Sequence, residues 1–386
     1  MPKPIPGRRA LEFLRTELAA GVALVVATVA ALVWVNLAPG VYHDTWSATL
    51  SLPGPGRDLT VAEWITSGLM AVFFFVVTLE INREIVDGEL RDPRIAAIPV
   101  IGALGGMVFP AVIYVAVTAG SGLGRGWGIP MATDIAFAVG VLRLSGRRAP
   151  RALGLTLLTL AIVDDLCSFV VIALFYSSGI RWAWVLVALG VALLVIVGRR
   201  RLEHPAWFLV PAVALWVALF RSGIPATLAG VLLAFLTPLR SRRGRPVLTT
   251  LEHALHPWGS FVVVPLFALA SAGIVISSTA IHHAVQSEAA LGIVAGRVVG
   301  KVVGIALGVA LARRLGAHTP LDRRSITALG FLGGVGLTVS LFVAGFAFSG
   351  SELNSAKLAI LAAAIAAAIA ATVMLRTIPA DSDAQT

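Results

Sequence analysis

A single cysteine, few charged residues and no long polar segment characterise this sequence. Cys167 has no second thiol to pair with, which excludes an internal disulfide and leaves the redox compartment open. Charged residues make up only 13% of the 386 residues, whereas hydrophobic residues make up 58%. Because the polar stretches between the apolar runs are short, none of them can form a separate soluble domain. These features indicate an all-α polytopic membrane protein.

Many apolar stretches reach the length of about 20 residues that a helix needs to cross the hydrocarbon layer. The first follows a basic N-terminus, but no A-x-A-type cleavage site clearly closes it, so we interpret it as a span rather than a signal peptide. The twelve predicted spans cover roughly residues 17–37, 61–85, 95–118, 128–144, 152–176, 181–198, 206–220, 223–237, 259–277, 289–311, 325–347 and 354–375.

The positive charges predict the orientation of these spans. With a cytoplasmic N-terminus, 23 of the 30 Lys and Arg residues lie on the cytoplasmic side and five lie on the opposite side. Both termini are therefore predicted to be cytoplasmic, and the net charge of +10 does not indicate a nucleic-acid partner. The longest external loop, 41–60, contains Pro53-Gly54-Pro55-Gly56, which is typical of a turn and fits either a small β-hairpin or a disordered loop.

Two predicted spans contain residues that interrupt helices. The fourth has Pro130 between Gly128 and Gly140, and the eleventh has four glycines within residues 330–336. Both spans share the spacing G-x4-T-x3-F-x2-G, and their predicted directions through the membrane are opposite. Paired, interrupted spans in opposite halves of a chain indicate inverted repeats with a binding site near the membrane midplane.

Ionisable residues inside the spans are the candidate functional residues. Asp164 and Asp165 are adjacent in an apolar run, where each carboxylate costs at least roughly 3 kcal/mol. We expect Asp134 to lie at the positive N-terminal ends of the interrupted helices and Lys301 at the negative C-terminal ends. Arg297 is expected to reach the outer surface, and Glu80 lies near the inner end of span two.

At these residues the chain resembles the NhaA family of sodium/proton antiporters. The resemblance covers about residues 65–375, and its matching segments follow the family's order. They are GLMAVFFFVVTLEINRE (68–84), IPMATDIAFAVGVL (129–142), LAIVDDLCSFVVIALFY (160–176), SGIPATLAGV (222–231), LEHALHPW (251–258) and GKVVGIALG (300–308). The resemblance implies a single transporter domain over 1–386, with two discontinuous crossing helices and a disordered tail at about 377–386.

The resemblance also implies a function. The expected activity is electrogenic, pH-regulated export of Na⁺, and of Li⁺, in exchange for H⁺ across the bacterial inner membrane. The expected assembly is a homodimer in the lipid bilayer, and no cofactor is expected beyond the transported ions.

Individual roles are implied by the matching motifs. Asp165 resembles the main sodium ligand, and Asp164 its partner, which pairs with Lys301 when sodium is absent. Thr133 and Asp134 match the crossing residues of the fourth span. The residues that resemble the family's cytoplasmic pH-activation cluster are Glu80, Arg83, Glu84, Glu252, His253 and His256.

The chain departs from the family pattern at several positions. Pro225 stands where members can carry a histidine associated with the pH response, and Ser67 stands where an aspartate often occurs. Cys167-Ser168 replaces smaller residues after the aspartate pair, and Arg297 is an added cation. These departures affect the expected pH profile more than the expected transport.

Other functions use similar features. An intramembrane aspartyl protease needs two carboxylates on different helices, for which Asp134 and Asp165 are candidates, but the sequence contains no Gly-x-Gly-Asp motif. A sodium-coupled symporter of the same fold needs a wider substrate cavity. A passive channel is disfavoured by the interrupted helices. The symporter is therefore the main alternative.

Overall fold

A computed structural model describes residues 6–51, 56–88, 91, 93–144, 150–199, 205–241 and 243–378. The predicted turn at 53–56 lies mostly outside these residues, and so does the predicted disordered tail from 379 onward.

The described part of the chain is almost entirely helical. Its α-helices are α1 (Pro6–Leu37), α2 (Pro39–Ser47), α3 (Val61–Glu63), α4 (Met70–Asp87), α5 (Pro93–Val117), α6 (Ile135–Leu144), α7 (Arg151–Phe175), α8 (Trp182–Gly198), α9 (Leu209–Ser222), α10 (Leu228–Leu236), α11 (Val247–Trp258), α12 (Val264–Ser271), α13 (Ser278–Gln286), α14 (Glu288–Ala295), α15 (Lys301–Arg314), α16 (Arg323–Gly334), α17 (Thr338–Ala347) and α18 (Gly350–Leu375).

Shorter helical segments of other types connect some of these helices. Three π-helical segments, Trp64–Leu69, Gly259–Val263 and Gly296–Gly300, join α3 to α4, α11 to α12 and α14 to α15. Two 3₁₀ segments, Gly124–Met131 and Pro205–Phe208, precede α6 and α9. Because π-turns inside longer helices are frequent at functional sites, the segment 296–300 beside Lys301 is of particular interest.

Helices of membrane-spanning length make this a polytopic membrane protein. Among the described residues, α16 and α17 qualify as one span bent by 49°, and seven further stretches qualify by length and hydropathy. The seven are Leu18–Leu37, Val61–Val86, Ala96–Val117, Ala152–Phe175, Val247–Ser271, Glu288–Arg314 and Gly350–Leu375. The other four predicted spans coincide with the shorter helices α6, α8, α9 and α10, so the number twelve stays a prediction.

Two predicted boundaries were wrong. The ninth span begins at Val247 rather than 259, because residues 247–258 continue the helix and bury Glu252. The eighth begins at Leu228 rather than 223, because Gly223 adopts φ +86 and Pro225 has no backbone donor.

Two short strands lie in the region predicted to contain the 41–60 loop. Thr49–Leu50 pairs antiparallel with Leu59–Thr60, with Thr49 opposite Thr60. Thr60 also begins α3 through a capping box, in which its hydroxyl accepts from the Glu63 amide and the Glu63 carboxylate accepts from the Thr60 amide. The second strand is therefore held to the start of a membrane span.

The chain forms two compact units. The first consists of Met1–Val26, Asp92–Ser168 and Ile274–Thr386, and the second of Ala27–Arg91 and Phe169–Gly273. Asp134, Asp164, Asp165, Arg297 and Lys301 all belong to the first unit. The single transporter domain over 1–386 stays a prediction.

A backbone-to-backbone contact between α5 and α15 holds Lys301 inside the first unit. A Cβ added to Gly105 would lie 2.1 Å from the Gly304 carbonyl oxygen, and one added to Gly304 would lie 2.1 Å from the Gly105 carbonyl oxygen. Small residues at helix interfaces permit this approach, which lipid-embedded helices use for van der Waals packing. Gly304 lies three residues after Lys301, so the same contact fixes the helix that carries the lysine.

We predict that Gly105→Ala destabilises the protein by about 1–3 kcal/mol, the usual cost of overpacking a close contact. The matched control is Gly102→Ala on the same helix, where the new methyl would be at 3.6 Å from Leu160 and Val309, an ordinary contact distance. Thermal unfolding of both purified variants in detergent measures the difference. Equal unfolding temperatures would show that α5 and α15 do not depend on this approach.

Candidate functional site

Two interrupted helices meet in the first unit. Residues 132–134 interrupt the helical structure between the 3₁₀ segment Gly124–Met131 and α6, and residues 335–337 interrupt it between α16 and α17. The Asp134 amide donates to the Val335 carbonyl at 3.1 Å, so the two breaks are in direct contact. Both breaks fall in the spans where Pro130 and the glycine-rich sequence 330–336 predict them.

Asp134 lies at the N-terminal ends of two helices. Its Oδ1 accepts from the Phe137 amide at 3.2 Å in the first turn of α6. Its Oδ2 accepts from the Thr338 hydroxyl at 2.8 Å and from the Thr338 amide at 3.4 Å, where α17 begins. A carboxylate is stabilised at such positions because the unpaired amides carry partial positive charge. Asp134 therefore couples the two interrupted helices electrostatically.

Lys301 connects the break before α6 to the aspartate pair on α7. Its ammonium donates to the Thr133 hydroxyl at 2.9 Å and to the Asp164 carboxylate at 2.9 Å. The Thr133 hydroxyl in turn donates to the Gly333 carbonyl at 2.8 Å, at the end of α16. The Lys301 and Asp164 side chains are both fully buried. A buried pair of this kind depends strongly on both partners, because either charge alone would be uncompensated.

One oxygen of the aspartate pair is buried without a hydrogen-bond partner among the described residues. Within the part of the chain that the structure describes, Asp164 Oδ1 is buried and has no hydrogen-bond partner, although Oδ2 binds Lys301. Asp165, the next residue on α7, is 6% exposed. An ionised carboxylate can accept at both oxygens, so the free Oδ1 is an open coordination position.

Arg297 does not reach the outer surface, and the expectation that it would was wrong. Its side chain is fully buried, and its guanidinium donates to the Gly336 carbonyl, to the Ser340 hydroxyl and, at 3.4 Å, to the Ala132 carbonyl. The reason is that carbonyls exposed by both breaks offer acceptors inside the protein. Lys301 was expected to lie at such carbonyls. Its ammonium instead donates to the Thr133 hydroxyl, which donates to the Gly333 carbonyl.

The predicted pH-response residues lie in the second unit. The Arg83 guanidinium donates to the Glu252 carboxylate and, at 3.2 Å, to the Glu84 carboxylate. Glu252 is buried, and the structure gives its Oε2 no hydrogen-bond partner among the described residues. Glu80 is also buried, whereas His253 is exposed and His256 is half-buried on α11. The structure thus brings Arg83, Glu84 and Glu252 together from α4 and α11.

Two residues of the site, Thr338 and Ser340, were not predicted, and Arg297 was not expected inside it. Thr338 matches Thr133 in the shared spacing of the two interrupted spans, but its hydroxyl binds Asp134 rather than Lys301. Ser340 donates to the Ile129 carbonyl at 2.9 Å and accepts from Arg297. Arg297 and Lys301 are four residues apart, and this spacing indicates that both lie on the same face of one helix.

The chain is similar over most of its length to known antiporters. The sequence profile described as Na+/H+ antiporter 1 matches residues 11–375. The Na(+)/H(+) antiporter NhaA 2 of Novosphingobium aromaticivorans is 45% identical over 374 residues, which is 94% of each chain. The Na(+)/H(+) antiporter NhaA of Escherichia coli O1:K1 is 40% identical over 365 residues, 92% of this chain and 94% of the relative. The Na(+)/H(+) antiporter NhaA of Shigella dysenteriae serotype 1 is 39% identical over the same length.

These matches extend across the interrupted helices, the aspartate pair and the lysine that together form the site. The chain therefore belongs to the Na+/H+ antiporter 1 family.

Proposed function

We propose that this protein is a Na⁺/H⁺ antiporter that exports sodium in exchange for protons, with its site at Asp164, Asp165, Thr133, Asp134 and Lys301. The observation that carries the site assignment is the buried Asp164 carboxylate, which binds Lys301 through one oxygen and leaves the other without a partner. The protein is a transporter and not an enzyme. Family membership supports the transported ions, because the relatives are named as Na(+)/H(+) antiporters.

Sodium suits this donor set. It is a hard cation that prefers oxygen ligands, as calcium and magnesium do. The two carboxylates of Asp164 and Asp165 and the hydroxyl of Thr133 supply such oxygens, and no cofactor is required. We assign Asp165 as the main ligand and Asp164 as the second.

Exchange follows from competition for the same oxygens. A proton on either carboxylate removes the negative charge that sodium needs, so protons and sodium exclude each other from these oxygens. When sodium binds, Asp164 exchanges the Lys301 ammonium for the incoming cation. If the site faces one side of the membrane at a time, each cycle carries sodium one way and protons the other. The proton gradient then drives the export of sodium, and of lithium, and we propose that the exchange is electrogenic.

Further parts of the proposal concern architecture and setting. We infer twelve spans related by inverted repeats, with both termini cytoplasmic, in the inner membrane of a bacterium. The opposite directions predicted for the interrupted spans support the repeats, and the clustering of Lys and Arg supports the orientation. We also infer a homodimer that contacts through an external hairpin formed by residues 41–60.

The main alternative function, a sodium-coupled symporter, would show sodium-dependent uptake of an organic solute.

Asp165→Asn is expected to abolish exchange, because the amide keeps the shape of the side chain and removes the charge that balances sodium. The measurement is dissipation of a pH gradient in everted membrane vesicles after addition of Na⁺, Li⁺ or K⁺, over a range of pH. Asp58→Asn, an exposed aspartate outside the site, is the matched control and should resemble wild type. Near-normal sodium response in the Asp165 variant would refute the assignment.

Lys301→Gln is expected to lower stability and to impair exchange. Removing one partner of a buried ion pair typically costs about 3–5 kcal/mol, since the remaining charge is uncompensated. The double variant Lys301→Gln with Asp164→Asn should regain part of the unfolding temperature without regaining exchange. Thermal unfolding in detergent measures the stability of the single and the double variant, and the vesicle assay measures their exchange. A single variant as stable as wild type would count against a pair buried in the folded protein.

The pH response is expected to depend on the cluster of Arg83, Glu84, Glu252 and the two histidines of α11. Histidine changes its charge between about pH 5 and 8, and Pro225 cannot titrate. Replacing both His253 and His256 with Gln should shift the midpoint of the activity–pH curve, and Pro225→His should shift it less. An unmoved midpoint in the double variant would assign pH control to proton competition at Asp164 and Asp165.

Deletion of residues 51–57 is expected to leave exchange intact and to weaken dimerisation. Exchange should persist because none of the proposed ion ligands lies in this loop. The measurement is the dimer fraction after chemical crosslinking in membranes, alongside vesicle activity of the same preparation. A dimer fraction equal to that of wild type would locate the subunit contact elsewhere.

A further inference from the structure

Arg297 is a buried cation that the proposed exchange reaction does not use. It is the largest of the fully buried side chains, and it lies in the π-helical segment Gly296–Gly300 directly before Lys301. Burying a guanidinium in a membrane protein is expensive, so such residues mark a site or its support.

The acceptors of Arg297 come from both interrupted helices. The Gly336 carbonyl belongs to the break between α16 and α17, and the Ala132 carbonyl belongs to the break before α6. Ser340, in the first turn of α17, accepts from the guanidinium and donates to the Ile129 carbonyl at 2.9 Å. One side chain therefore connects acceptors in both breaks.

The local backbone is shaped to admit this side chain. A Cβ on Gly336 would lie 2.6 Å from the Ala132 carbonyl oxygen and 3.2 Å from Arg297 Nη2. A Cβ on Gly296, beside Arg297, would lie 2.9 Å from Pro130. Glycine at these positions lets the two breaks and the π-helical segment approach one another. The guanidinium is thus closely packed by the surrounding backbone.

The carbonyls of the breaks explain why an arginine is suited to this position. The carbonyls of an unwound break have no partner within a helix, and at membrane depth they need donors from elsewhere in the protein. A planar guanidinium presents several donors in fixed directions, so it can bind carbonyls of two segments at once, whereas an ammonium is a point charge. Lys301 directly contacts a hydroxyl and a carboxylate instead.

We propose that Arg297 is the fixed cation of the helix crossing and positions the ion ligands, while Lys301 is the exchangeable cation that pairs with Asp164. Arg297 holds the Ala132 carbonyl, and the next two residues are Thr133 and Asp134. Because Arg297 binds the carbonyls of the two breaks, these carbonyls keep a donor when sodium binds and Lys301 leaves Asp164. This inference rests on the proposed sodium/proton exchange and adds a positioning residue to it.

The test compares four variants reconstituted into proteoliposomes. Arg297→Met removes the charge. Arg297→Lys keeps the charge but removes the planar guanidinium with its several donors, and Ser340→Ala removes one acceptor. The matched control is Arg314→Met, an exposed arginine at the end of α15. For each variant the KM for sodium, the maximal rate and the unfolding temperature in detergent are measured, with and without sodium.

The expected result is a rise in the sodium KM of Arg297→Met and Arg297→Lys of about tenfold or more, the usual effect of losing a group that orients metal ligands. Ser340→Ala should raise the KM by a smaller factor, and Arg314→Met should leave it unchanged. The sodium-induced rise in unfolding temperature should shrink in parallel, because it reports binding without transport.

A purely structural role would give a different pattern. Arg297→Met and Arg297→Lys would then lower the unfolding temperature and the maximal rate, while the sodium KM stayed within twofold of wild type, and this would overturn the proposal. If Arg297→Met does not fold, Arg297→Lys and Ser340→Ala decide the question by their KM values. If wild-type protein itself showed no sodium-dependent exchange, the proposed function would be wrong and this inference would fall with it.

Discussion

Unwound backbone at membrane depth needs hydrogen-bond partners inside the protein, since hydrocarbon offers none. This constraint determines the arrangement of the first unit. Asp134 binds amides at the start of α6 and α17, and Arg297 binds carbonyls that both breaks expose. The glycine contact between α5 and α15 holds the helix that carries Lys301. The two interruptions therefore satisfy backbone groups of each other, and their pairing creates a polar centre beside α7.

Opposite charges in this centre have different roles. Asp134 and Arg297 bind backbone groups of the breaks, so their charges stabilise the helix crossing. Asp164 and Lys301 bind each other, with one carboxylate oxygen left open. A buried ion pair offsets its desolvation only when further hydrogen bonds satisfy its remaining oxygens, and Asp164 Oδ1 has none among the described residues. Under the proposed exchange, this division lets Asp164 release Lys301 without unfolding the crossing.

The sequence predicted the interrupted helices and the aspartate pair because glycine, Pro130 and intramembrane carboxylates act through local chemistry. It did not predict Arg297, since its role depends on carbonyls from two distant segments and on the π-helical segment 296–300. Hydropathy also placed the start of the ninth span too late. The helix from Val247 carries Glu252, whose burial beside Arg83 is a tertiary effect that charge counting along the chain cannot show.

The proposed exchange depends on competition between sodium and protons for one pair of carboxylates. The most direct measurement is the number of protons released when sodium binds to the purified protein, obtained by titration calorimetry in buffers of different ionisation enthalpy. We expect proton release on sodium binding near neutral pH, and no release from a variant that lacks both the Asp164 and Asp165 carboxylates. Sodium binding without proton release near neutral pH would contradict it.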